Sequence, residues 1–270
     1  MADLEAVGAE LETIDVSVGD DVENCVTVTF DRPDARNAMN QRLRDEFALL
    51  VDRIEESDAR VVVLTGSDES HSFVSGADVG DLQERTALEQ RERSKRPRIY
   101  ERVKNLRQPV IARVNGYAFG GGCELAMACD VRIARADVKF GLPEVSLGLI
   151  PGGGGTQRLP RLIGEGQAMR MILSGDPIDA TEARELGLVD IVCEPDELDD
   201  EVADLASSIA DRSPVALEFA KRAVKASSQL GLEDGIDYEA ELFAQVLASE
   251  DSSEGISAFL EDREPEWNGR

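Results

Sequence analysis

Two glutamates, Glu124 and Glu144, are each tied to a glycine run, and proton transfer is the chemistry such a pairing could carry. Gly120-Gly121-Gly122-Cys123-Glu124 opens the apolar stretch Leu125-Ala126-Met127-Ala128. Pro143-Glu144 is followed by Pro151-Gly152-Gly153-Gly154-Gly155-Thr156. Glycine lets backbone N–H groups approach a ligand closely, and a helix that begins after such a run adds a positive dipole end. Two carboxylates beside exposed N–H donors suit a substrate that becomes an oxyanion while a proton moves. On position alone, Glu124 fits either a general base or a first-turn carboxylate complementing its helix. Glu144 fits either an acid or an ordinary loop residue. Their shared glycine-rich, otherwise apolar setting favours acid–base chemistry.

A second loop, Phe73-Val74-Ser75-Gly76-Ala77-Asp78-Val79, has a glycine and a small residue where an N–H could stay exposed. Paired with a donor from Gly120-Gly121-Gly122, it would complete an oxyanion hole from two separate loops. Either loop alone is weak, because glycine turns are common.

Other chemistries find little support. His71 is the single histidine and lies in the polar turn Ser67-Asp68-Glu69-Ser70-His71-Ser72, which reads as surface. No Gly-x-Ser-x-Gly elbow offers it a nucleophile. The cysteines Cys25, Cys123, Cys129 and Cys193 form no CxxC pair, so zinc-type spacing is absent and no metal is expected. A reduced, cytoplasmic setting is expected.

The elements that must position these residues follow from hydrophobic periodicity. Val26, Val28 and Phe30 alternate with threonines as in a half-buried strand. Leu43, Phe47, Leu50, Val51 and Ile54 mark one helix face. Val61-Val62-Val63-Leu64 and Pro109-Val110-Ile111-Ala112 read as buried strands, and Val131 to Ala134 and Val138 to Phe140 as further short ones. This order predicts an α/β core. Residues 81–107 are charged and helix-compatible. Residues 156–173 read as helical with breaks at Pro160 and Gly164, residues 180–186 as a short helix stopped by Gly187, and residues 188–192 as a late strand. Residues 1–12 read as a loose, flexible acidic start, 13–195 as the core, and 196–270 as a helical region expected to dock tightly.

The chain has 270 residues, 55 acidic against 29 basic, and a net charge of −26. Only 5 of the basic residues are lysine. Carboxylates hold hydration, and their repulsion is screened where the Debye length falls to roughly 3 Å at 1 M salt, so a halophilic origin is expected. The charge argues against nucleic acid, which needs a basic face. No apolar run approaches the roughly 18–20 residues of a membrane span, and the acidic N-terminus does not read as a signal peptide. One segment departs from the rest: residues 85–98 hold Arg85, Arg91, Arg93, Lys95, Arg96 and Arg98 against Glu89 and Glu92, a net +4. It could steer an anionic substrate, or be a solvated helix paired with nearby carboxylates.

Taken together, these segments resemble the enoyl-CoA hydratase/isomerase (crotonase) superfamily. The likeness runs from Arg32-Pro33 and Asn37-Ala38-Met39 through the two loops above. It continues in Pro109 to Leu125, Phe140 to Glu144, Pro151 to Leu159, Gly175 to Val189 and Gly255 to Phe259, and so covers roughly residues 14–265. The resemblance implies a ββα superhelix with a C-terminal helical region, assembled as a homotrimer or homohexamer. It implies an acyl-CoA thioester substrate and no cofactor besides the coenzyme A carried by that substrate. By motif position, Ala77 and Gly121 supply the oxyanion hole. Glu124 acts as base toward water at Cβ and Glu144 supplies the proton at Cα. Gly152 helps to hold the water, and Ala38, Ser75, Asp78 and Val79 lie along the coenzyme A. Hydratases of the family carry both glutamates, whereas many of its isomerases keep only the second. Hydration of trans-2-enoyl-CoA in fatty-acid β-oxidation is therefore expected. Double-bond isomerisation, a specialised acyl-CoA lyase and an RNA-binding relative are the alternatives.

Overall fold

The structure, a computed structural model, describes residues 1–83 and 85–270. Helix α1 (Ala2–Gly8) precedes β1 (Ile14–Val18) and β2 (Cys25–Phe30), which pair antiparallel with Ile14 opposite Phe30. Helix α2 (Gln41–Glu56) begins at Asn40, whose side chain accepts the Leu43 N–H at 2.9 Å, a regular N-cap. All five apolar positions read from the sequence, Leu43, Phe47, Leu50, Val51 and Ile54, are buried.

From there the chain winds in repeating turns. Strands β3 (Val61–Gly66), β5 (Val110–Val114) and β7 (Val131–Arg135) join a six-stranded sheet of order β1-β2-β3-β5-β7-β10. Each is followed at once by a short partner, β4 (Ser72–Val74), β6 (Tyr117–Phe119) or β8 (Lys139–Gly141). These partners form a second sheet of order β4-β6-β8-β9. Each turn of the chain thus gives one strand to each sheet, which is the expected ββα superhelix. Helices α3 (Val79–Gln83), α4 (Ala87–Arg93) and α5 (Ile99–Asn105) connect β4 to β5, and α6 (Gly121–Ala126) connects β6 to β7. Helices α7 (Gly155–Ile163) and α8 (Glu165–Ser174) lead to β9 (Ile178–Asp179), α9 (Ala180–Leu186) and β10 (Ile191–Cys193). Phe30 packs edge-on against Phe47 and Phe73 at 5.1 and 6.1 Å in the core between helices and sheets.

Several expectations need correction. Residues 1–12 are not a loose start: α1 forms there, and Leu4 is buried in the main core with Ile14, because an apolar seat against β1 and α2 receives it. Helix α7 continues through Pro160 and ends at Gly164, where φ is +78°. The proline forfeits one N–H, but burial of Leu159 and Ile163 on either side holds the helix. Residues 188–190 turn before β10, with Leu188 and Val189 buried in that turn.

Tight docking of the C-terminal region describes α10 (Leu198–Ala210), whose Leu198, Val202, Ala206 and Ala210 pack over Val61, Val63, Ile111 and Ile133. Helix α11 (Pro214–Ala226) has no buried residue and is tied to the core by Lys221 and Lys225, each 2.6 Å from the Asp130 carboxylate. Helices α12 (Leu232–Leu247) and α13 (Glu250–Glu261) leave Leu232, Ile236, Phe243, Leu247, Phe259 and Leu260 exposed. Among the described residues, no helix is long and apolar enough to cross a membrane.

Candidate active site

Strands β4, β6 and β8 are neighbours in the small sheet and run parallel, so their carboxyl ends lie along one edge. Ligand sites of α/β sheets form outside such ends. The loops that leave them contain Ser75 to Asp78, Gly120 to Glu124, and Leu142 to Glu144. The topology therefore brings together the three segments singled out from the sequence.

The first two loops touch. The Met39 N–H donates to the Gly76 carbonyl at 2.7 Å and the Asp78 N–H to the Met39 carbonyl at 3.2 Å, an isolated bridge that leaves the N–H of Ala77 facing away. Gly76 has φ +115°, in the region that favours glycine, and a Cβ there would lie 3.6 Å from the Gly121 nitrogen. A Cβ on Gly121 would lie 3.7 Å from the Ala77 nitrogen but only 2.6 Å from Met39 Cε and 2.9 Å from the Tyr100 hydroxyl. Among the described residues, neither the Ala77 nor the Gly121 N–H donates to a protein acceptor. The second opens helix α6 and adds its dipole end.

Asn37 anchors the 32–40 loop. It is fully buried, accepts the Arg32 N–H at 2.8 Å, and donates to Ser70 Oγ at 2.8 Å and the Ser72 carbonyl at 3.0 Å. Ala38 is half-buried beside the bridge, and the Ser75 N–H donates to the Arg36 carbonyl at 3.2 Å. Asp78 lies 3.5 Å from Arg32, while Val79 is exposed. These four residues thus line two loops that face one another.

Glu124 sits in the first turn of α6 and is only 2 % exposed. Its Oε1 accepts the N–H groups of Gly153 and Gly155 at 2.6 and 2.7 Å. Oε2 takes no bond among the described residues. Burial pushes its carboxyl above the ordinary range, opposed by those backbone bonds and by the charges of Arg158 and Arg98. The glycines are required by close approach: a Cβ on Gly153 would collide with Glu124 Oε2 and lie 2.5 Å from the Tyr100 ring. Gly152, expected from the motif to help hold the water, is exposed, and the bonds to Glu124 come from Gly153 and Gly155 of the same run.

Glu144 lies in a 3₁₀ turn, Pro143–Leu147. Its Oε1 is 3.1 Å from where a Cβ of Gly120 would be, so it reaches the same turn that carries Gly121. Its Oε2 is buried and has no hydrogen-bond partner among the described residues. Burial pushes this carboxyl up to about 7; a bond to its own backbone lowers it and the neighbouring Glu124 charge raises it. A group balanced near neutrality, with one oxygen unspoken for, can both give and take a proton.

Sequence reading missed two features. Tyr100 is buried beside Gly121, Gly153 and Glu124; its only sequence signal was the α5 periodicity of Ile99, Tyr100, Val103 and Leu106. The basic segment is not one patch: Arg93 reaches Gln41, Lys95 pairs with Glu92, and Arg96 stays exposed with its Nε 3.6 Å from Glu101, whereas Arg98 turns inward to that buried carboxylate. The single histidine, His71, is exposed, and all four cysteines are free and buried.

Two parallel loops with free N–H donors and two unlike carboxylates define a site for stabilising an oxyanion while a proton moves. The family model described as Enoyl-CoA hydratase/isomerase matches residues 21–270, and the chain belongs to that family. It is 41% identical over 241 residues to the short-chain-enoyl-CoA hydratase of Clostridium acetobutylicum, covering 88% of this chain and 92% of that protein. It is 41% identical over 252 residues to the 2,3-dehydroadipyl-CoA hydratase of Escherichia coli, covering 92% and 96%. The crystal structure of an enoyl-CoA hydratase from Bacillus anthracis superposes with a TM-score of 0.89 at 36% identity, covering 96% of this chain and all of that one.

Proposed function

We propose that this chain catalyses reversible syn addition of water to a trans-2-enoyl-CoA, giving the 3-hydroxyacyl-CoA. The observation that carries the reading is the contrast at the site: Glu124 is pinned through one oxygen by two N–H groups, while Glu144 sits near neutrality with a bare oxygen. The thioester carbonyl accepts from the N–H groups of Ala77 and Gly121, which stabilise the enolate that forms when oxygen adds at Cβ. Water lies between the carboxylates, with the Gly152 N–H as a further donor. Glu124 takes a proton from the water as its oxygen bonds to Cβ. Glu144, protonated, gives its proton to Cα as the enolate collapses. The C=C π bond is lost, one C–O and one C–H bond form, and the dyad keeps one proton throughout. In the reverse direction the roles exchange.

Coenzyme A runs along Ala38, Ser75, Asp78 and Val79, and no other cofactor is needed. The exposed apolar residues of α12 and α13 meet further copies of the chain, as a homotrimer or a pair of trimers. The acidic, lysine-poor composition supports a halophilic, cytoplasmic enzyme that binds neither nucleic acid nor membrane, acting in β-oxidation. The test is loss of the conjugated enoyl absorbance of crotonyl-CoA in high salt, repeated after dialysis to low salt. Turnover that disappears on dialysis supports both readings; turnover unaffected by salt removes halophily alone. No turnover of crotonyl-CoA or of a longer enoyl-CoA removes the hydratase reading and leaves isomerisation or a specialised acyl-CoA lyase.

A further inference from the structure

The Gly152–Gly153 peptide is gripped at both ends. Its N–H donates to Glu124 Oε1 at 2.6 Å, and its carbonyl accepts from Arg98 Nη1 at 2.5 Å. Arg98 stands at the start of α5 and is locked by Glu101. Its Nε and Nη2 donate to the two carboxylate oxygens at 3.1 and 2.6 Å, and its own backbone N–H donates to the same group at 3.0 Å. Glu101 is only 5% exposed. Two nitrogens of the guanidinium hold the buried carboxylate, and the third is left for the loop. The pair is thus a fixed dipole with its positive end on the Gly152 carbonyl.

We infer that Arg98 is a positioning residue for Glu124, acting through the Gly152–Gly153 peptide to hold that carboxylate in place and charged. This rests on the proposed role of Glu124 as base. A cation on a carbonyl oxygen polarises the peptide, which strengthens its N–H as a donor at the other end. Burial favours the neutral carboxyl at Glu124, so an anionic base needs such compensation. Arg158 offers a useful contrast. It donates to the Gly153 carbonyl at 2.7 Å, but that peptide's N–H belongs to Gly154 and reaches no acceptor among the described residues. Arg158 acts on Glu124 by charge alone, whereas Arg98 acts by charge and through a shared peptide. The inward turn of Arg98 also explains part of the basic segment: this arginine serves the catalytic loop and not the solvent.

The test removes the pair without leaving an unpaired buried charge. In Arg98→Met/Glu101→Met both partners become apolar, a replacement that buried pairs tolerate far better than loss of one member. Arg98→Gln/Glu101→Gln serves as a second variant that keeps neutral hydrogen bonding, and circular dichroism establishes folding of each. The Glu124 carboxyl is titrated by its side-chain 13C resonance, assigned by its loss in Glu124→Gln. In both double variants its midpoint is expected to rise by about one pH unit. The acid limb of the crotonyl-CoA pH profile should move in the same direction, kcat at neutral pH should fall about tenfold, and KM should change less than about twofold. A folded variant with an unshifted resonance and an unshifted limb overturns the inference. If the wild-type protein hydrates no enoyl-CoA, the function reading fails instead, and the 13C titration still decides whether Arg98 acts on Glu124.

Discussion

Glu124 and Glu144 leave neighbouring parallel strands, β6 and β8, and border the same Gly120–Gly121 turn, yet the protein holds them in opposite ways. Glu124 is nearly sealed from solvent, with one oxygen bound by two backbone N–H groups. Glu144 is more open, and a buried oxygen of it has no partner among the described residues. Bonds to a carboxylate favour its anion, and a bare, partly buried carboxyl favours the proton. The difference separates the acid from the base before any substrate arrives. Two carboxyls equal in environment would share their proton evenly and define no direction of transfer.

The comparison is broken most completely by removing either group. Glu124→Gln and Glu144→Gln are each expected to lower kcat for hydration of crotonyl-CoA about 10³-fold, measured as loss of enoyl absorbance. They should part company on a 3-enoyl-CoA. Moving a double bond requires one proton carrier near Cα, so Glu124→Gln should retain more isomerisation than Glu144→Gln. Equal loss in both variants would mean that the two carboxylates act as a single unit.

The residues of this site were legible because their signals are local. Glycine runs beside a glutamate announce close backbone approach, and the periodicity of Leu43 to Ile54 placed α2 on its buried face. The meeting of loops was less legible. It follows from β4, β6 and β8 being adjacent in a sheet whose order is not written in any one segment. Residues 81–107 were least legible, since a highly charged stretch resembles a solvated helix. Arg98 turns inward onto Glu101, three residues on, whereas Arg91 has no acid at that spacing and stays exposed. The carbonyl that takes the third nitrogen of Arg98, that of Gly152, lies far along the chain and leaves no local signal. Leu4 shows the same limit, since an acidic start hides one apolar residue that the fold buries. The exposed apolar faces of α12 and α13 were also missed, because an amphipathic pattern does not say whether such a face is covered by its own chain.

A gentler way to break the contrast is to disturb the grip on Glu124 while keeping its charge. A methyl group on Gly153 would strike Glu124 Oε2 and the Tyr100 ring, whereas among the described residues a Cβ on Gly152 meets only the Ile150 carbonyl at 3.9 Å. Gly153→Ala is therefore expected to cost about 10²-fold in kcat by displacing the carboxylate. Gly152→Ala should leave kcat within about threefold, since neither its N–H nor its carbonyl is removed. Comparable losses from the two substitutions, with both proteins folded, would show that loop rigidity matters more than the placement of Glu124.

The smallest expected effect concerns stability, and it reads the environment of Glu144 without any substrate. Its folded carboxyl titrates at about 7, above the ordinary value of 4.5. Folding therefore favours the protonated form. The stability from this group is complete below the unfolded value, declines as pH rises, and is lost once pH passes the folded value. At pH 8 the wild-type protein carries a poorly solvated carboxylate that Glu144→Gln lacks. The group is partly open to solvent, so the gain for the variant is discounted to about 1 kcal/mol, or a rise of about 2 °C in Tm. Thermal denaturation at pH 8 and pH 4 in the same salt checks this, with the difference expected to shrink toward zero at the lower pH. Glu124→Gln should give no such gain, because Gly153 and Gly155 would donate to an amide oxygen in place of a carboxylate, a weaker acceptor. A stabilised Glu124→Gln would mean that burial outweighs the two backbone bonds, and that the two glutamates differ less than their geometry says.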